Sequence, residues 1–142
     1  EESEPQVELP GAKEQFWRKK LKGTDKFYKN ITYPEEYHKQ LTEIAIHCKE
    51  EGIKLIFWIP PLHKDYHEVL TKYELEEFEA KFKHDLFTIG DVFDFNSSQL
   101  TVDENNFRDP VHFNAQVARL IEKEIRSYSP QHSILYKKKW LD

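Results

Sequence analysis

Asp109 and His112 stand three residues apart in the stretch NNFRDPVHFN, residues 105–114. A histidine acting as general base on a hydroxyl must be held in one tautomer, with one ring nitrogen facing that hydroxyl. A carboxylate on the other nitrogen does this and stabilises the imidazolium that forms. At i and i+3 the two side chains meet if the backbone between them turns, and Pro110 fixes one backbone angle there. The alternative is a turn capped by Asp109, with His112 an ordinary surface residue. Asn114 follows directly and is both a candidate helix N-cap and a candidate substrate contact.

A second constellation is HKDYH, with His63 and His67 four apart and Asp65 between them. Histidines at i and i+4 share a helix face and can hold zinc. A helical zinc hydrolase adds a glutamate within the motif and a third ligand. Here the intervening residues are Lys64, Asp65 and Tyr66, which favours two histidines at a helix start with no metal. His63, at the end of an apolar run, is instead a candidate to line the same pocket as His112.

The elements that must position these groups read as helix, strand, helix, strand, helix. TYPEEYHKQLTEIAIHCKEEG places Tyr37, Leu41, Ile44, Ala45 and Cys48 at helical spacing, with Pro34 at its start and Gly52 past its last turn. This predicts a helix over 34–51. IKLIFWIPP is apolar from Leu55 to Ile59 without alternation, the mark of a strand buried on both faces in a parallel sheet. Leu70, Tyr73, Phe78 and Phe82 predict a second helix over 65–84, LFTIGDVFDF a second strand over 87–95 with Gly90 its weak point, and residues 114–128 a third helix. NSSQLTVDENNFRDP reads as loop.

Such an order implies right-handed crossovers and a parallel α/β sheet. In open sheets of this kind ligands sit beyond the carboxyl ends of the strands, where Asp109 and His112 fall. Two strands are few, so the fold reads as incomplete: the N-terminal region, a second chain or a missing segment completes the sheet.

Residues 1–12 read as an acidic, flexible linker, residues 13–31 as a basic segment, 32–129 as the α/β domain and 130–142 as a tail. The segment AKEQFWRKKLKGTDKFYK sets seven Lys or Arg against two acids and interleaves Phe16, Trp17, Leu21, Phe27 and Tyr28. It is either an anion-binding patch or, the favoured reading, an amphipathic helix that docks its aromatics and leaves its lysines in water. The tail either packs through Ile134, Leu135 and Trp140 or stays mobile.

The sequence of 142 residues has a net charge of -5, which gives no footprint for nucleic acid. No run approaches the length of a membrane span. Cys48 is alone, so no intrachain disulfide forms. There is no Met, and the polar, proline-containing start reads as a piece of a longer precursor.

The order of elements, together with FRDPVHFN after an apolar strand ending in Asp94, resembles the C-terminal portion of the SGNH (GDSL-like) hydrolases. The nearest likeness is to the branch concerned with cell-wall and exopolysaccharide acyl groups, as in teichoic-acid D-alanylation and alginate acetylation. It covers about residues 34–126. The resemblance implies a flavodoxin-like three-layer α/β/α fold with a short parallel sheet, and an esterase or O-acyltransferase acting outside the cytoplasm. A carbohydrate or cell-envelope polymer would be its substrate, and neither cofactor nor metal is required. Carried over by position, Asp109 orients and His112 is the base. That family's nucleophile is a serine in a Gly-Asp-Ser block, and no serine here stands in one; IGDVF has Val92 where that serine would be. The expectation is half of an active site, with the nucleophile supplied from outside this chain. The competing expectation is a non-catalytic interaction or oligomerisation module.

Overall fold

A computed structural model of the chain describes residues 11–138. The expected linker lies almost wholly outside these residues, as does Trp140.

The basic segment is helix α1, Ala12–Tyr28. Its docking is narrower than an amphipathic helix implies. Trp17 is its one buried residue, while Phe16 and Phe27 stay exposed. Helix α2, Glu35–Glu50, matches the expected boundaries closely, and Pro34 precedes its first turn. Gly52 adopts φ +69, its N–H bonds to the Lys49 carbonyl and that of Ile53 to the Cys48 carbonyl. This is a Schellman ending, for which glycine has no steric cost.

Strand β1, Ile56–Ile59, lies parallel to β2, Asp91–Asp94, with Ile56 opposite Asp91 and Ile59 opposite Asp94. Between them the expected single helix is two, α3 at Lys64–Lys72 and α4 at Glu76–Phe87. The break is another Schellman ending. Glu74 takes φ 55, its N–H reaches the Thr71 carbonyl and Leu75 N–H reaches the Leu70 carbonyl. Nothing in the apolar spacing marks it, because Leu70, Tyr73 and Phe78 keep helical period across the turn.

The second strand is also shorter than expected. Phe87 ends α4, and the Gly90 N–H still bonds back to the Leu86 carbonyl, so pairing starts at Asp91. A Cβ on Gly90 would stand 2.8 Å from the Phe57 ring, a close approach that demands glycine.

After β2 the expected loop holds two short 3-10 turns, Gln99–Val102 and Glu104–Asn106, capped by the Ser98 and Asp103 side chains. A small antiparallel hairpin follows, β3 at Phe107–Asp109 and β4 at His112–Phe113. Helix α5, Ala115–Ser127, then begins from Asn114, whose side chain accepts the Val117 N–H at 3.0 Å. The tail contributes β5, Ile134–Tyr136, antiparallel to β2 on the side away from β1. The sheet is therefore mixed, order β1-β2-β5, and not the purely parallel one expected.

Successive β2 side chains point to opposite faces. Phe93, with Phe95, joins Val117 and Ile121 of α5 in one cluster, while Val92 joins Ile59, Leu86 of α4 and Leu41 of α2 in another. The chain is thus a mixed α/β protein with helices against both faces of β2. Among the described residues, no helix is long and apolar enough to cross a membrane.

Candidate active site

The Asp109–His112 turn is rigid because Asp109 serves it twice. The carboxylate is buried, and its Oδ1 accepts the backbone N–H of Val111 at 2.9 Å and of His112 at 3.1 Å. Pro110, fully buried, sets φ in the turn, and Asp109 and His112 lie opposite one another in the hairpin register. The same carboxylate meets His112 Nδ1, at 2.9 Å from Oδ1 and 2.7 Å from Oδ2. An ionised carboxylate only accepts, so Nδ1 carries the proton and donates it, leaving the Nε2 lone pair free. The His112 side chain is 64% exposed. This tautomer and exposure suit a general base.

Turn and sheet are tied together through His63. Its backbone N–H donates to the Pro110 carbonyl at 3.0 Å, which sets the hairpin beyond the carboxyl end of β1. The His63 side chain does not join His112 in a pocket. It is only 3% exposed, caps α3 by accepting the Asp65 N–H on Nδ1 and packs edge-on against Trp17 and Phe107. With Nδ1 an acceptor, Nε2 carries the proton and finds no partner. Burial pushes the His63 pKa below its ordinary value, opposed by the nearby Asp65 charge. Asn114 is likewise committed to structure: beyond capping α5, its amide donates to the Asn105 carbonyl at 2.6 Å.

His67 Nε2 meets Asn96 Oδ1 at 3.0 Å. Among the described residues no three His, Cys, Asp or Glu side chains converge as metal ligands.

One polar cluster escapes a sequence reading. Asp94, wholly buried at the end of β2, accepts Lys83 Nζ at 2.8 Å, the Ser97 hydroxyl at 3.1 Å and the Asn96 N–H at 2.9 Å. Glu79 accepts from Asn96 Nδ2 and from Lys83, each at 3.2 Å. Burial works against the Lys83 charge, but the hydrogen bond and charge of Asp94 outweigh it and hold its pKa above the usual lysine value. Lys83 beside Ser97 is therefore an ammonium and no base for that hydroxyl. The local signal was DFNSS, a cluster of side chains prone to bond their own backbone.

The other described serines are engaged elsewhere. Ser98 donates to the Phe95 carbonyl, Ser127 to the Glu124 carbonyl and Ser133 to the Glu124 carboxylate, and Ser129 accepts from Gln131. Beside the hairpin, Val111 borders an open groove of about 570 Å³ shared with Phe16, Lys20, Tyr28 and Tyr66. No protein-family model, curated protein or solved structure matches the chain.

Proposed function

We propose that this chain carries the base end of a serine-type acyl-transfer site. The observation that carries the proposal is the Asp109–His112 pair, in which a buried carboxylate holds Nδ1 of a largely exposed imidazole. In the reaction a serine hydroxyl attacks the acyl carbon while Nε2 takes its proton, and Asp109 stabilises the imidazolium. The proton is then returned to the leaving alkoxide. The nucleophile comes from outside the described residues, in keeping with the resemblance to the SGNH hydrolases and their flavodoxin-like three-layer fold. The same resemblance supports an esterase or O-acyltransferase working outside the cytoplasm on a carbohydrate or cell-envelope polymer.

The test is hydrolysis of a chromogenic acetate ester by the full encoded protein. His112→Ala is expected to abolish turnover with the fold intact by circular dichroism. Full activity in that variant would falsify the assignment.

A second reading, a non-catalytic interaction module, has its own support. The outer edge of β1 pairs with no other strand among the described residues, its sequence IFWI carries no charge or proline to guard it, and Trp58 there is 44% exposed. Under that reading the chain associates through this edge, and Trp58→Lys lowers the associated mass in analytical ultracentrifugation. Under the acyl-transfer reading the same edge receives the segment that completes the sheet.

A further inference from the structure

We propose that the apolar cavity bounded by α1, α3, α4 and the end of β1 binds a small apolar ammonium, an aryl-alkyl amine in its protonated form. The cavity has a volume of about 320 Å³, within the range of small-molecule sites. Ile59, the last residue of β1, and Asn96, which follows β2, both border it. It therefore lies beyond the carboxyl ends of the parallel pair, where open sheets of this kind hold their ligands.

Its walls are mostly hydrocarbon and aromatic. Tyr28 and Tyr66 meet edge to face with ring centres 5.6 Å apart, and Tyr33 and Phe78 do the same at 5.6 Å. Aromatic rings attract cations through their faces and pack well against another ring. Lys81, outside the lining, stands 4.1 Å from the centre of the Tyr33 ring but is paired with Glu35 and Asp85.

The charged groups on the lining decide the sign of the ligand. Lys83 is the one cation there among the described residues, and its three protons are taken. Its Nζ meets Asp94 Oδ2 at 2.8 Å, Glu79 Oε1 at 3.2 Å and Ser97 Oγ at 3.2 Å. An anionic ligand would find no free ammonium. Glu79, the one acid on the lining, is differently placed. Its Oε1 accepts from Lys83 and Asn96, whereas Oε2 meets no partner among the described residues. Glu79 and Asp94 against Lys83 leave one uncompensated negative charge beside an apolar space. A protonated amine neutralises it, which a neutral alcohol of the same shape does not. Nothing here uses His112, so the site stands whatever reaction that residue serves.

The experiment is calorimetric titration of the full protein with three probes of similar shape: 2-phenylethylammonium, 2-phenylethanol and phenylacetate. The ammonium is expected to bind about ten-fold tighter than the alcohol, with phenylacetate weakest. Its binding shifts the methyl resonances of Ile59 and Leu75, which border the cavity. Glu79→Gln keeps an oxygen for Asn96 and Lys83, and lowers the affinity for the ammonium to that for the alcohol. Glu77→Gln, at an exposed position on the same helix, leaves it unchanged. Phenylacetate binding as tightly as the ammonium overturns the proposal, as does failure of all three probes to bind, or methyl shifts confined to residues away from the cavity. So does a folded Glu79→Gln that keeps the preference, or a Glu77→Gln that loses as much. The order of the probes and the methyl shifts need no variant, so the test survives a Glu79→Gln that fails to fold.

Discussion

At the scale of single residues, Asp109 does two jobs that mutation can separate. Its Oδ1 satisfies two backbone N–H groups of the turn, and the carboxylate as a whole fixes the His112 tautomer. Truncation to alanine would orphan the turn and confound the result. Asp109→Asn keeps an oxygen for the backbone and removes the charge that stabilises imidazolium. An amide NH2 facing Nδ1 also favours the wrong tautomer. We expect kcat on a chromogenic ester to fall by about 10²- to 10⁴-fold with KM little changed, measured on the full protein. A variant retaining wild-type kcat would leave Asp109 with only its structural job. The contact between the two side chains was one of two readings of the spacing and Pro110; the other, a turn capped by Asp109 with His112 on the surface, fits the same residues, and only the resemblance to the SGNH hydrolases favoured the catalytic one. His63 was legible as an interesting residue but not in its role, since burial between Trp17 and Phe107 depends on a helix that docks from far away in the chain.

At the scale of elements, the same helix ending occurs three times and was readable once. Gly52 announces its left-handed turn, whereas Glu74 and Tyr128 adopt φ 55 and φ 52 against their own preference. The break between α3 and α4 was therefore hidden, and the helix over 65–84 read as continuous. Strand β5 was hidden for a different reason: three residues between a polar turn and a run of lysines carry too little periodicity to read, and only pairing with β2 defines them. The two strained positions are not equivalent. Glu74 makes no side-chain hydrogen bond among the described residues, so Glu74→Gly relieves the backbone at the cost of chain entropy. A net stabilisation of about 0.5–1 kcal/mol is expected from these opposing effects, read as a higher urea midpoint at unchanged m. Tyr128→Gly should instead destabilise, because the Asp91 hydrogen bond and the edge-on contact with Phe93 go with the ring.

At the scale of the whole molecule, α1, the sheet and the candidate site converge on His63. Trp17 of α1 packs on its ring and donates to Asp65 Oδ2 at 2.8 Å, Phe107 of β3 packs on another side, and the His63 backbone holds the Pro110 carbonyl. A charge on this ring has no water to meet it. Asp65 and, farther off, Glu68 and Glu104 oppose the burial effect, while Lys64 adds to it. The folded-state pKa therefore lies below the ordinary 6.5. Between those two values the unfolded chain binds more protons than the folded one, so stability rises with pH. Folding free energy is full above about 6.5 and declines as the pH falls below it, levelling once the folded ring also titrates. Glu124 contributes in a separate, more acidic window. Burial opposes its charge, but hydrogen bonds from Ser133 and from the Gln131 and His132 backbone prevail, so its contribution is lost only below the ordinary 4.5. The two windows can be told apart by His63→Asn, which keeps an N-cap oxygen for Asp65 N–H and removes the titration. Urea midpoints between pH 7 and pH 5 should slope for the wild type and flatten for that variant. An unchanged slope in His63→Asn would assign the dependence to other groups and detach the hairpin and α1 from any shared response to protons.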